Sequence, residues 1–397
     1  MPALHTLLPA LLLGSMLALL AGQAPAQTGA ATHTGPDTAL QGVFREIEAN
    51  RLDAALDRTE ALLKVYPNFR LAHLVKGDLL LARTRPLTTF GNVEGPGQQV
   101  EALREEAVAR LRAYRERPAT EFVPRYLMQM GPEQQYAVVV DAERARLYVY
   151  RNDNGRPRFV TDYYASHGKA GVEKWREGDN RTPLGVYHVT SFIDPKRLPD
   201  FYGSGAFPIN YPNDWDKRLG RTGHGIWLHG TPSDTYARPP KASEGCVVLA
   251  NQDFSSLSNY VQPGLTPVII SNEIEWLSVD DWQRNRRNLN DAIEAWRQDW
   301  ESLDVERHLS HYAKDFRSDR LDRDAWASQA RRIAKGQRAL KVAIDKLSMF
   351  RNPGKDELVV VTFEQTLRGQ GLADTQRKRQ YWVREGGRWK IAYESAA

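Results

Sequence analysis

A single cysteine, Cys246, and a histidine seventeen positions before it, His229, are the pair in this 397-residue sequence best suited to covalent chemistry. A lone thiol cannot close a disulfide within its own chain, so it is either a small buried hydrophobe or a reactive group. His229 follows the apolar run Ile226-Trp227-Leu228, and Cys246 follows Ser243-Glu244-Gly245 and opens the apolar run Val247-Val248-Leu249. Two strands joined by about a dozen polar, proline-containing residues can set an imidazole beside a thiol. A base within hydrogen-bond reach turns that thiol into a thiolate nucleophile. Gly245 can leave backbone N–H groups facing a ligand, so the amides of Gly245 and Cys246 are candidate donors to an oxyanion, with Ser243 beside them. Residue types alone leave the inert reading open, because one Cys and one His at one spacing are a weak signal.

Three ordered motifs narrow the choice. His229-Gly230-Thr231 with Ser243-Glu244-Gly245-Cys246 resembles the active-site signature of the L,D-transpeptidase (YkuD) family. Gly178-Asp179-Asn180-Arg181-Thr182-Pro183-Leu184-Gly185-Val186-Tyr187 is similar to that family's GD-x-x-TP-x-G-x-Y segment, and Asn210-Tyr211-Pro212-Asn213 to its YPN turn. The resemblance spans 134–273. It implies Cys246 as nucleophile, His229 as base, and the Gly230 carbonyl orienting the ring. Glu244 and Val248 depart from the family pattern, standing where many members carry histidine and arginine or asparagine. His224 is a weaker candidate base, five residues before His229 and expected to face the other way.

The elements that must position this pair follow from patterning. Leu7 to Leu20 is apolar and ends in Ala24-Pro25-Ala26, which reads as an export signal over 1–26, followed by a small, polar linker over 27–37. A weakly basic start leaves a retained anchor as the alternative, and only then would the chain touch a membrane. Residues 38–117 show helical spacing (Val43, Phe44, Ile47; Leu56, Leu62, Leu63) and resemble a tetratricopeptide-type helix pair plus a third helix. One such unit cannot bury its apolar face alone, so packing against Val100 to Tyr114 or the catalytic domain is expected. It serves as a spacer or as a docking scaffold for other cell-wall proteins.

From Tyr136 the period changes to strands. Ala137-Val138-Val139-Val140 and Leu147-Tyr148-Val149-Tyr150 form a hairpin opening an all-β domain. In its loops, Trp175, Phe201, Tyr202, Tyr211 and Trp215 could wall a peptide groove, with Arg176, Lys217, Arg218 and Arg221 for substrate carboxylates. Trp276 to Trp300 reads as a helix. The runs Leu358 to Phe363, Gln380 to Val383 and Trp389 to Tyr393 read as strands, with Gly386-Gly387 turning between the last two. Over 283–397 the chain is similar to the α+β NTF2-like cone, in which His308 and His311 are remote catalytic candidates.

The resemblance implies a peptidoglycan-modifying enzyme that attacks stem tetrapeptides, releases terminal D-alanine, and hands the thioacyl group to an amine (a 3–3 cross-link) or to water (a tripeptide). An NTF2-like domain after the catalytic one resembles the cell-shape L,D-carboxypeptidases, which trim tetrapeptides. A periplasmic site in a Gram-negative cell follows from the same reading. The competing class is a wall-binding protein with an inert Cys246. A zinc peptidase fits poorly, since no H-E-x-x-H or tight histidine spacing occurs. No cofactor is expected, and no phosphate loop, dinucleotide fingerprint or nucleic-acid motif is present. Net charge is only +5, a mild basic bias.

Overall fold

The computed structural model describes residues 35–397, except 93–96, 117, 120, 320, 355 and 356. The expected leader and most of the linker lie outside the described residues, and a helix already starts at Pro36, inside the expected linker. Among the described residues no helix is long and apolar enough to cross a membrane.

Among the described residues, four helices come first: Pro36–Glu48, Leu52–Val65, Arg70–Ala82 and Gln98–Arg115. Each presents one apolar stripe inward. On the third, Leu71, Ala72, Val75 and Leu79 are buried at steps that keep them on one face. Together with Leu40, Val43, Leu56, Leu62, Phe69 and Ala107 they form one small core. The expected packing segment is the fourth helix, and the catalytic domain helps to seal the unit as well. Buried Arg110 of the fourth helix pairs with Glu106 at 2.8 Å and with Asp37 at the start of the first helix. Arg146, on a strand of the catalytic domain, reaches the same Asp37 at 2.7 Å.

The catalytic domain is built on a five-stranded mixed sheet, in the order Arg156–Tyr164, Arg146–Asp153, Tyr136–Asp141, Pro267–Ser271, Gly185–His188. Its alternate residues serve two cores. Val138, Val140, Leu147 and Val149 face Phe207, Leu228, Val247 and Phe254. Ala137, Val139, Tyr148 and Tyr150 face Phe350, Leu358, Val360 and Tyr381 of the C-terminal domain. Burial on both faces is why residues 137–140 read as an unbroken apolar run. A three-stranded sheet, Val247–Val248, Trp227–His229, Ala206–Pro208, covers the first face.

The C-terminal domain folds the helices Val279–Glu301, Val305–Leu309 and Arg323–Lys335 onto a six-stranded sheet. The strands expected near 358, 380 and 389 are present but longer, as Leu358–Gly369, Leu372–Glu385 and Arg388–Ala396. Gly386 and Gly387 turn the last hairpin with φ of 57° and 76°, backbone that glycine adopts without strain. Two features differ from expectation. Trp276–Leu277 is not helical but a short strand paired with Val123–Pro124, and the helix starts at Val279, where the Ser278 side chain caps it by accepting the Asp281 N–H. The sheet's sixth strand is Leu127–Gln129, from the segment preceding the catalytic domain.

Candidate active site

His229 ends one strand of the small sheet, and Cys246 directly precedes the neighbouring strand Val247–Val248. Val247–Val248 runs parallel to Trp227–His229 with Val248 opposite His229, so Cys246, two residues earlier, lies on the same face as the imidazole. His229 is 1% exposed. Its Nδ1 lies 2.7 Å from the Gly230 carbonyl, which fixes Nδ1 as the protonated nitrogen and leaves Nε2 as the basic one. Burial lowers the ring to about 4, with the Gly230 carbonyl pulling the other way, so His229 is neutral at pH 7.

Half-buried Cys246 donates its thiol proton to the Gly225 carbonyl at 3.4 Å rather than to His229. Burial pushes the thiol up, as does Glu244, while the Trp227 N–H, Arg238 and Lys174 pull it down. The sequence suggested a thiol already ionised by its neighbour. The resting site instead holds a neutral thiol and a neutral imidazole, because burial outweighs the nearby cations.

The turn before Cys246 corrects a second expectation. The Gly245 amide is not free: it donates to the Ser243 hydroxyl at 3.1 Å, and that hydroxyl donates to the Cys246 carbonyl at 2.6 Å. Among the described residues the Cys246 amide makes no such bond, so it is the amide of this turn left free to face a ligand. Ser243, buried, is therefore a turn-former. Gly245 has φ of 127°, and a Cβ there would lie 2.8 Å from the Arg181 carbonyl, so no other residue fits.

The GDNRTPLGVY motif supports this turn from below. The Thr182 hydroxyl accepts the Gly168 N–H and donates to the Gly245 carbonyl, both at 2.9 Å. Against the cost of its own burial, the Lys174 ammonium and the amides of Arg176, Trp175 and Arg181 draw Asp179 down to about 2. Thr182→Val should leave two buried partners unsatisfied, cost about 2 kcal/mol in chemical denaturation, and lower turnover with it. Wild-type values in both measurements would remove Thr182 from this account.

Other candidates separate. Tyr211 is a core residue, 6% exposed, with its hydroxyl donating to the Thr222 carbonyl at 3.0 Å. Arg221 pairs with Asp216 at 2.9 Å under the Trp175 ring, and His224 is exposed, 3.7 Å from Glu177. None of the three touches Cys246 or His229 by any hydrogen bond among the described residues. Trp215 stacks on Tyr381 and Arg218 pairs with Asp315, so both join domains instead of lining a groove. Phe201 and Tyr202 do wall the site, with ring centres 5.9 and 5.1 Å from His229. His308 is buried among Trp296, Trp300 and Tyr312, and His311 is held by Asp299.

Sequence reasoning missed three residues. Arg238 stands over the Phe201 ring at 4.5 Å, and Lys174 is buried behind the loop. Asn251 accepts the Ser204 N–H at 2.9 Å and donates to the Thr231 carbonyl at 2.8 Å, crowding the space a Cβ on Gly230 would need. The one signal for Arg238 was its place in the loop between His229 and Cys246.

With that geometry in place, the comparisons define the class: residues 135–270 match the L,D-transpeptidase catalytic domain (YkuD), and residues 288–395 match the Cds6 C-terminal NTF2-like domain. The chain thus carries a catalytic domain of a family that modifies peptidoglycan, followed by an NTF2-like domain. Among solved structures it resembles Bd1075 of Bdellovibrio bacteriovorus, at 28% identity and a TM-score of 0.63, covering 70% of this chain and 98% of that one. It shares its fold with the helical cell shape determining protein Pgp2 from Campylobacter jejuni, at 24% identity and a TM-score of 0.57, covering 68% and 95%. No curated protein matches.

Proposed function

We propose that this protein is an exported, periplasmic L,D-acyl-transfer enzyme that trims peptidoglycan stem tetrapeptides through a thioacyl intermediate at Cys246. The observation that carries the reading is the shared face of Cys246 and His229, with the ring's Nδ1 tied to Gly230 and Nε2 left basic. As the sulfur attacks the carbonyl of the third stem residue, Nε2 takes the thiol proton. The Cys246 amide faces the developing oxyanion. Collapse expels D-alanine, whose amine recovers the proton from His229. The same ring then activates water, which releases tripeptide and regenerates the thiol.

Water is favoured as acceptor by the pairing of catalytic and NTF2-like domains, shared in fold with the helical cell shape determining protein Pgp2. Incubation with disaccharide tetrapeptide should yield disaccharide tripeptide and free D-alanine, followed by mass spectrometry. Cross-linked dimers would instead assign the protein to amine transfer. Neither product would end the acyl-transfer reading.

A further inference from the structure

The loop between His229 and Cys246 leaves the catalytic domain at one point. Tyr236, at its middle, packs into the core of the N-terminal helices. Its ring centre lies 4.4 Å from that of Phe69 and 5.2 Å from that of Tyr66. Two residues on, Arg238 turns back over the Phe201 ring at 4.5 Å, and Phe201 in turn lies 5.9 Å from the His229 ring. Tyr164, itself under the buried Arg110 at 3.8 Å, donates its hydroxyl to the Arg238 carbonyl at 2.9 Å. The loop is thus held from two sides: Tyr236 anchors it on the helices, while the Tyr164 hydroxyl, at the end of the catalytic domain's strand Arg156–Tyr164, holds the Arg238 carbonyl and the Ser166 hydroxyl holds the Pro239 carbonyl. Otherwise its polar run from Ser233 to Thr235 is surface-exposed or half-buried, with little apolar area to order it.

We infer that Tyr236 is a positioning residue, and that the N-terminal helices act in cis to hold Arg238 against Phe201 beside the thiol and imidazole. The inference rests on the acyl-transfer reading, but its main readout, the reactivity of the thiol, does not. The charged groups acting on Cys246 are Arg238 and Lys174, which favour the thiolate, and Glu244, which opposes it. Of these, Arg238 lies two residues from Tyr236, whereas Glu244 follows the strand Lys241–Ser243 and Lys174 lies in a different segment. Releasing Tyr236 therefore weakens one cation's hold on the sulfur and leaves the other groups in place.

The test is the pH profile of Cys246 alkylation by iodoacetamide in the full chain, with kcat and KM on tetrapeptide measured beside it. Tyr236→Ala should slow alkylation at pH 8 by about threefold to tenfold, matching Arg238→Met, and adding Arg238→Met to it should slow it no further. The kcat should fall about tenfold or more with KM little changed, since the loop positions and does not bind. Phe69→Leu, which alters only the seat in the helices, should reproduce both effects more weakly, and serves in place of Tyr236→Ala if that variant does not fold. Tyr236→Phe keeps the ring and should behave as wild type. A folded Tyr236→Ala or Phe69→Leu protein with wild-type alkylation and kcat overturns the inference. Turnover surviving in Cys246→Ala would instead overturn the acyl-transfer reading, leaving the alkylation result to judge Tyr236 alone.

Discussion

Replacing His229 by alanine is expected to lower kcat on tetrapeptide by about a thousandfold or more, and Cys246→Ala to abolish it. His229 has no substitute with the same placement, because His224 points to solvent beside Glu177, His308 lies in the C-terminal domain, and His167, though its strand pairs with Lys241–Ser243, makes no hydrogen bond to Cys246 among the described residues. The pH dependence distinguishes this site from a preformed thiolate–imidazolium pair. The competent form has neutral His229, and burial holds that ring at about 4, so the neutral form predominates from about pH 5 upward. The thiol, pushed above its ordinary range by burial, stays protonated through neutrality. Thus kcat/KM should be flat from about pH 5 to about pH 8, and wild-type alkylation should rise only above that window. A bell centred near neutrality, or alkylation titrating below pH 7, would mean an ion pair and reject the neutral resting state.

The second large effect is on stability in acid. His167, His188 and His229 are each lowered to about 4 by burial, and His308 to about 3. An unfolded histidine protonates near 6.5, so at pH 5 these four rings are charged when unfolded and neutral when folded. Their contribution is complete above about pH 6.5 and is lost as the pH falls toward 4. His311 is lowered by burial as well, and four buried carboxyls, Asp141, Asp253, Glu106 and Asp216, act in the opposite sense. Burial raises Asp141 to about 6 and Asp253 to about 7, so near pH 5 they hold protons that unfolding releases. The lowered histidines outnumber the raised carboxyls, so unfolding near pH 5 takes up protons on balance, and each net proton taken up costs about 1.4 kcal/mol of stability per pH unit as the pH falls. Urea denaturation at pH 7, 6 and 5 checks this directly. A stability that stayed level, or rose, across that range would contradict the burial of these rings as neutral species.

What was legible in the sequence was whatever had a period or a motif. The strand run at 137–140, the Gly386-Gly387 hairpin and the His229–Cys246 spacing each announce themselves locally, and each is found as a strand, a turn or a shared face. What was not legible depended on partners far along the chain. Leu127–Gln129 gains its meaning from pairing with Leu340–Arg351, and no local pattern in three residues can indicate that. Tyr211, Arg221, Trp215 and Arg218 were read as groove residues by type. A buried aromatic with a satisfied hydroxyl and an arginine with a buried carboxylate look the same in sequence as ligand contacts. Arg238, Lys174 and Asn251 went unnoticed for the converse reason: single polar residues in loops carry no period, and only the three-dimensional crowding around Gly230 and Phe201 gives them a role.

The large sheet has no face left over. One side closes on the catalytic core and the other on Phe350, Val360 and Tyr381, while Leu127–Gln129 stitches the entry to the catalytic domain into the far edge of the last sheet. Cutting the chain near residue 280 would therefore strip cover from Val139, Tyr148 and Ile269 and leave Leu127 without its strand. The NTF2-like part is thus a wall of the catalytic part. The two should melt in a single transition, and neither is free to drift as a bead on a tether while the other works.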